Sequence, residues 1–92
     1  MVTLILFSTS TCAYCRPIKT IIDNLKPDYE DEDRVLFTNI EVDTDPSGMA
    51  IAREWLIRAV PTILVISKGE EVERMEGDIN REKIVDAIER NI

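Results

Sequence analysis

The chain has 92 residues, 45% hydrophobic and 32% charged, a composition typical of a single folded domain spanning residues 1–92. Eleven Lys and Arg residues against 18 Asp and Glu residues give a net charge of −7, which argues against binding nucleic acid or an anionic membrane. The absence of histidine excludes Ser-His-Asp and Cys-His catalysis and histidine-ligated zinc. No segment reaches about 18 apolar residues, and no secretory leader is recognisable, so we expect a cytoplasmic protein.

The first half of the chain predicts a strand, a helix and a second strand. Val2–Phe7 is a short apolar run followed by polar residues, which is typical of a buried strand. A helical face follows, made of Ile18, Ile21, Ile22 and Leu25. We expect this helix to stop near Lys26-Pro27, because the residue before a proline avoids helical geometry. Asp28–Asp33 is predicted to be a solvated acidic loop, and Val35–Val42 an edge strand.

The middle of the chain predicts a second helix and a third strand. Asp45 is the expected N-cap, with Pro46 at the first helical position and the helix running to about Leu56. Pro61 then breaks the chain. Thr62–Ile66 is a second continuous apolar run and predicts another buried strand.

The last third of the chain predicts a hairpin and a final helix. Lys68-Gly69-Glu70 is the expected tight turn, and Glu71–Glu76 the returning strand. Asn80 is the expected N-cap of a helix over Arg81–Asn91. The order β-α-β-α-β-β-α predicts an α/β fold with a four-stranded mixed sheet and helices on both faces, in which the two continuous apolar runs are the central strands.

Cys12-Ala13-Tyr14-Cys15 is the most informative motif in the sequence. It lies where the first strand passes into the first helix, so unpaired backbone N–H groups at the helix N-terminus can stabilise a thiolate. The two-residue spacing favours reversible disulfide chemistry, with Cys12 as the exposed nucleophile and Cys15 as the resolving cysteine. The alternatives are two ordinary core cysteines, or a metal site that two chains would have to share.

The sequence resembles the thioredoxin/glutaredoxin family over essentially its whole length. The resemblance rests on the CAYC motif, on the strand end Asn39–Asp43, on Ile57–Thr62 and on the glycines of the C-terminal hairpin. It implies the thioredoxin fold, a redox-active Cys12–Cys15 disulfide without other cofactor or metal, and activity as a protein disulfide reductase. It also implies a cis peptide bond before Pro61, with the backbone of Val60 pairing with an extended substrate.

Several positions depart from the thioredoxin pattern. Thioredoxins have a buried aspartate six residues before the first cysteine, and this position is Leu6, so the base that deprotonates Cys15 is not identified. Arg16 is expected to stabilise the thiolate, and Tyr14 to contact substrate beside the sulfur. Pro17 removes a backbone donor two residues after Cys15, which predicts an irregular first helical turn.

The electron donor separates two subclasses of the family. Glutaredoxins bind glutathione through a basic residue near the first cysteine and a Gly-Gly-x-Asp-Asp-like turn, whereas this chain has Gly77-Asp78 alone. We therefore expect a monomeric, thioredoxin-type reductase of protein disulfides, recharged by a thioredoxin-reductase-type donor. The alternatives are a glutathione-dependent glutaredoxin and a non-enzymatic module that binds a partner or an iron–sulfur cluster.

Overall fold

The computed structural model describes residues 1–30 and 34–92. The helices and strands follow in the predicted β-α-β-α-β-β-α order. Their bounds are β1 Val2–Ser8, α1 Cys15–Glu30, β2 Val35–Glu41, α2 Gly48–Glu54, β3 Thr62–Ser67, β4 Glu70–Glu76 and α3 Arg81–Asn91. None of the helices in this described part combines the length and apolarity that crossing a bilayer requires.

The four strands form one mixed sheet in the order β2-β1-β3-β4. β1 and β2 are parallel, whereas β1 pairs with β3, and β3 with β4, in antiparallel fashion. The two continuous apolar runs are the central strands, as predicted, and β2 is an edge strand. Lys68 and Gly69 connect β3 to β4 in a two-residue turn with positive φ at both positions.

Helices cover both faces of the sheet, which confirms the predicted layers. One face packs against α1 and α3, through Leu4, Leu6, Ile22, Leu25, Ile84 and Ile88 among others. The opposite face packs against α2, through Phe7, Ile40, Ala52 and Leu64. The prediction for α3 is confirmed at both ends, and the side chain of Asn80 accepts a hydrogen bond of 2.9 Å from the Lys83 N–H as its N-cap.

The predicted end of the first helix at Lys26-Pro27 is wrong, because α1 continues through Pro27 to Glu30. The extra turn is held by Tyr29, whose ring is buried in the core against Phe37 and whose hydroxyl donates to Glu89 Oε1 at 3.0 Å. This packing outweighs the local penalty of the proline. The predicted acidic loop therefore begins inside the helix, and its residues 31–33 lie outside the described part of the chain.

The second helix begins later and ends earlier than predicted. Asp45 does not cap α2, which begins at Gly48 and ends at Glu54. Instead, Asp45 Oδ1 accepts the Ser47 N–H at 2.9 Å, and the Asp45 carbonyl accepts the Gly48 N–H at 2.9 Å, so that a turn precedes the helix. Leu56, the predicted helix end, has φ 56° and is therefore outside helical geometry.

Gly48 allows α2 to start directly against the end of β2. A Cβ atom at this position would lie 2.7 Å from the Val42 carbonyl oxygen and 2.9 Å from its Cα. Both contacts are with backbone, which cannot rotate away as a side chain would. The close approach therefore requires glycine.

Asp43 joins the loop after β2 to the loop after β1. Its Oδ1 accepts the backbone N–H of Ser10 at 2.9 Å, and its Oδ2 accepts the Ser10 hydroxyl. These two hydrogen bonds, the hydroxyl bond first, hold the pKa of the Asp43 carboxyl below its ordinary value. The loop that leads to Cys12 is thereby joined to the loop that follows the neighbouring strand β2.

Gly48→Ala should destabilise the fold by about 1–3 kcal/mol, because the new methyl group overlaps the backbone of Val42. Urea unfolding of the oxidised protein measures the change. Glu54→Ala, an exposed position on the same helix, is the control and should stay within about 0.5 kcal/mol of the parent. An unchanged midpoint for Gly48→Ala would show that α2 can move away from β2 freely.

Asp43→Asn should lower the melting temperature at neutral pH, because a neutral amide accepts hydrogen bonds less strongly than a carboxylate. The folded-state pKa of Asp43 is depressed, so its contribution is present above the unfolded value of about 3.9 and is lost as pH falls through the folded value. The difference from the parent should therefore shrink between about pH 5 and pH 2 in melting curves. Asp86→Asn makes the same change of charge at an exposed position on α3; an identical pH profile would assign the effect to net charge alone.

Candidate active site

The two cysteines lie in the connection from β1 to α1 and form a disulfide. Their Cα atoms are 5.4 Å apart, the Cys12 N–H donates to the Thr9 carbonyl at 3.3 Å, and the Cys15 N–H donates to the Cys12 carbonyl at 3.3 Å. Cys15 is the first residue of α1, and Cys12 lies in the turn three residues before it. The sulfurs are therefore at the helix N-terminus, as the motif's position predicts.

The irregular first turn predicted from Pro17 is absent from α1, since the backbone is helical from Cys15 onward. Pro17 is the third residue of the helix, where a backbone N–H has no carbonyl partner within the helix. The missing donor therefore costs no intrahelical hydrogen bond. The irregular backbone lies earlier, at residues 12–14, in the turn between the two cysteines.

The two sulfur-bearing residues differ in exposure. Cys15, the first residue of α1, is 0% exposed, whereas Cys12 is partly exposed. A thiol has to reach a substrate disulfide to attack it, so only Cys12 is accessible to a protein partner without rearrangement. The asymmetry matches the order of roles expected from the sequence.

A groove of about 440 Å³ runs beside the disulfide. Tyr14, which is 82% exposed, forms one wall, and Val60 and Pro61 lie on another. The remaining lining residues are Pro17, Ile18, Ile21, Gly77 and Ile79. The Val60–Pro61 peptide bond is cis, the isomer that the resemblance implies, and Pro61 is buried. The structure thus brings Tyr14, Val60 and Pro61 together in one surface, and none of the lining residues carries a charge.

Five lining residues of this groove were not predicted to lie there: Pro17, Ile18, Ile21, Gly77 and Ile79. Ile21 fits the helical core face, yet it is only partly buried and lines the groove. Gly77 and Ile79 follow β4, far from the cysteines in sequence. The predicted sheet order could have identified Gly77 and Ile79, because β4 lies beside β3 and β3 directly follows Pro61.

Arg16 is exposed on the first turn of α1. Within residues 1–30 and 34–92, its side chain donates no hydrogen bond to either sulfur. Any stabilisation of the thiolate by Arg16 would therefore act through space and solvent, where salt screens it. Its expected role stays a prediction.

The position beneath the cysteines is apolar, as the sequence indicates. Leu6 is 0% exposed and belongs to the core cluster between the sheet and α1. Polar groups lie toward the β2 edge: Lys19 Nζ is 3.4 Å from Glu41 Oε2, and the buried Ser8 hydroxyl donates to Asn39 Oδ1 at 2.9 Å. Lys19 is one helical turn after Cys15, so this ion pair lies on the same face of α1 as Cys15.

The described side chains form no group of three or more His, Cys, Asp or Glu residues arranged to hold a metal ion. The two sulfurs are joined to each other. The chemistry that the arrangement supports directly is thiol–disulfide exchange at Cys12 and Cys15.

Comparison with known proteins points to the same chemistry. The thioredoxin family model matches residues 1–90. The thioredoxin of Chlorobaculum thiosulfatiphilum is 32% identical over 89 residues, covering 97% of this chain and 78% of that protein. The chloroplastic M-type thioredoxin of Chlamydomonas reinhardtii is 30% identical over 87 residues, covering 95% of this chain and 59% of that protein.

A solved structure agrees with these sequence matches. The X-ray structure of Fasciola hepatica thioredoxin superposes with a TM-score of 0.82 at 26% identity, covering 99% of this chain and 81% of that one. The family match spans nearly the whole chain, and the disulfide lies at the N-terminus of the first helix. This chain therefore belongs to the thioredoxin family of thiol–disulfide oxidoreductases.

Proposed function

We propose that the chain is a thioredoxin-type reductase of protein disulfides, with Cys12 as nucleophile and Cys15 as resolving cysteine. The observation that supports these roles best is the difference in exposure, since Cys15 is fully buried and Cys12 is not. Members of this family act on protein disulfides and receive electrons from a reductase. The proposed working unit is a monomer, because one chain supplies both sulfurs and the groove beside them.

The proposed reaction begins from the reduced protein. The Cys12 thiolate attacks one sulfur of the substrate disulfide, the S–S bond breaks, and the second substrate sulfur leaves as a thiolate that takes up a proton. Cys15 then loses its proton and attacks Cys12 Sγ, which releases the first substrate sulfur as a thiol. Two electrons and two protons pass to the substrate, and the protein gains its Cys12–Cys15 disulfide, for a partner reductase to reduce again.

The uncharged groove lined by Tyr14, Val60 and Pro61, which we call the apolar groove, supports an extended peptide as substrate. Val60 and Pro61 offer backbone beside the disulfide, while Tyr14, Ile21 and Ile79 offer apolar surface. The free energy of binding in such a groove comes from main-chain hydrogen bonds and apolar contact. Asp78, the aspartate of the turn after β4, is engaged by Lys83 Nζ at 2.9 Å, and the uncharged groove suits an apolar peptide better than an anionic tripeptide, which favours protein substrates over the glutaredoxin alternative.

The proposed redox centre is the cysteine pair alone, without organic cofactor or metal, and the proposed compartment is the cytoplasm, where thiols are kept reduced. Insulin reduction with dithiothreitol, together with a visible spectrum of the purified protein, tests this proposal. Turnover by a colourless protein is the expected result. A brown protein without turnover would support the cluster-binding alternative instead.

Cys12→Ser should abolish reduction and form no adduct with a disulfide substrate, because the accessible sulfur is gone. Cys15→Ser should also fail to turn over, but it should accumulate a mixed disulfide that dithiothreitol cleaves. Intact-protein mass spectrometry under non-reducing conditions measures the adduct. Adducts formed mainly by Cys12→Ser would reverse the two roles, and adducts with neither variant would argue against the reductase.

Leu6→Asp should not create a working proton acceptor for Cys15. A carboxyl group in this fully buried apolar position lacks a partner, so burial should raise its pKa and destabilise the fold by several kcal/mol. Urea unfolding and single-turnover reduction of insulin measure the two effects. Thr38→Asp, an exposed position on β2, is the control for added charge. Unchanged stability with faster turnover would show that the layer beneath Cys15 is hydrated.

A further inference from the structure

A second groove shares Val60 with the apolar groove. It measures about 260 Å³ and lies between the loop after β1, the surface of α2 and the chain before Pro61. Its lining includes Thr9, Met49, Arg53, Ile57, Arg58 and Val60. We call this surface the arginine groove.

Residues on either side of Cys12 in the sequence line different grooves. Thr9 lines the arginine groove, and its carbonyl accepts the Cys12 N–H. Tyr14, two residues after Cys12, lines the apolar groove. Val60 lines both. A peptide that presents its disulfide to Cys12 along Val60 therefore extends into one groove on each side of its cystine.

The charges of the two grooves differ. Arg53 and Arg58 are both exposed, and the side chain of Arg58 is 82% exposed. The nearest carboxylate to Arg58 is Glu76, with 3.8 Å between Nη2 and Oε1 and no hydrogen bond. Within the described part of the chain, Arg53 has neither an ion pair nor a side-chain hydrogen bond. Two exposed cations thus line this groove in a chain whose net charge is −7.

Arg74 lies next to the arginine groove, in a neighbouring pocket that Arg53 and Arg58 also line. Its guanidinium donates to the carbonyls of Trp55, at 2.6 Å, and Leu56, at 3.1 Å, and pairs with Glu71 at 2.7 Å. Its charge is therefore engaged within the fold. Leu56 is 74% exposed with a positive φ, so this contact fixes an apolar side chain at the surface next to Arg53 and Arg58.

We propose that the arginine groove binds an acidic segment next to the reactive disulfide of the protein partner, so that preferred substrates are acidic on one side of the cystine and apolar on the other. The inference rests on the proposed function, since it names the substrates of that same site. An acidic segment is the complement of two exposed guanidinium groups, which favour carboxylates through paired N–H donors. The uncharged groove beyond Val60 suits the apolar side.

Two synthetic peptides with the same internal disulfide test this proposal. One has three glutamates on one side of the cystine and apolar residues on the other, and in the second the glutamates are glutamines. The pre-reduced protein should reduce the glutamate peptide about fivefold faster at low salt, and the preference should fall as salt is added. The ratio of the two rates is the measured quantity, so any general loss of reactivity cancels.

The variant pair Arg53→Glu with Arg58→Glu should reduce the ratio to one or below. The matched control, Lys26→Glu with Arg81→Glu, makes the same change of net charge at exposed positions away from both grooves and should keep the ratio. Equal rates for the two peptides in the parent protein, or a preference that survives in the Arg53/Arg58 variant, would overturn the proposal. Failure of the parent to reduce either peptide would instead contradict the proposed function.

Discussion

Parallel pairing of β1 with β2 is the constraint on which the site depends. Because both strands run in the same direction, the loops that follow them leave the sheet at the same end of the strands. This places Ser10, just before Cys12, within hydrogen-bonding distance of Asp43. The cysteine turn is therefore supported by residues more than thirty positions later in the chain.

The sheet and the redox pair were predictable from the sequence because their signals are local. The two apolar runs are typical of central strands in a sheet covered on both faces. Asn80 before an amphipathic segment is a local signal for a helix start. The spacing of Cys12 and Cys15 at a strand-to-helix transition likewise needs no tertiary information.

Two of the wrong predictions concern places where packing contacts override a local rule. Pro27 should end a helix, but Tyr29 buries its ring and bonds Glu89, sixty residues away. Asp45 is a good N-cap in isolation, but the fit of Gly48 against Val42 sets the helix start. The second wall of the apolar groove is not visible in any local pattern, since Gly77 and Ile79 reach it only through the pairing of β3 with β4.

Much of the acidic charge of the chain lies along the edge strand β4. Four of its seven residues are glutamates, Glu70, Glu71, Glu73 and Glu76, and the strand pairs with β3 on one side only. An edge with free backbone groups is a template for adding strands from other molecules, and charge along it opposes such pairing. Three of these glutamates are paired with arginines, Glu71 with Arg74, Glu73 with Arg90 and Glu76 with Arg58, so the open edge opposite β2 is lined by charged side chains of both signs, which disfavour the addition of another strand.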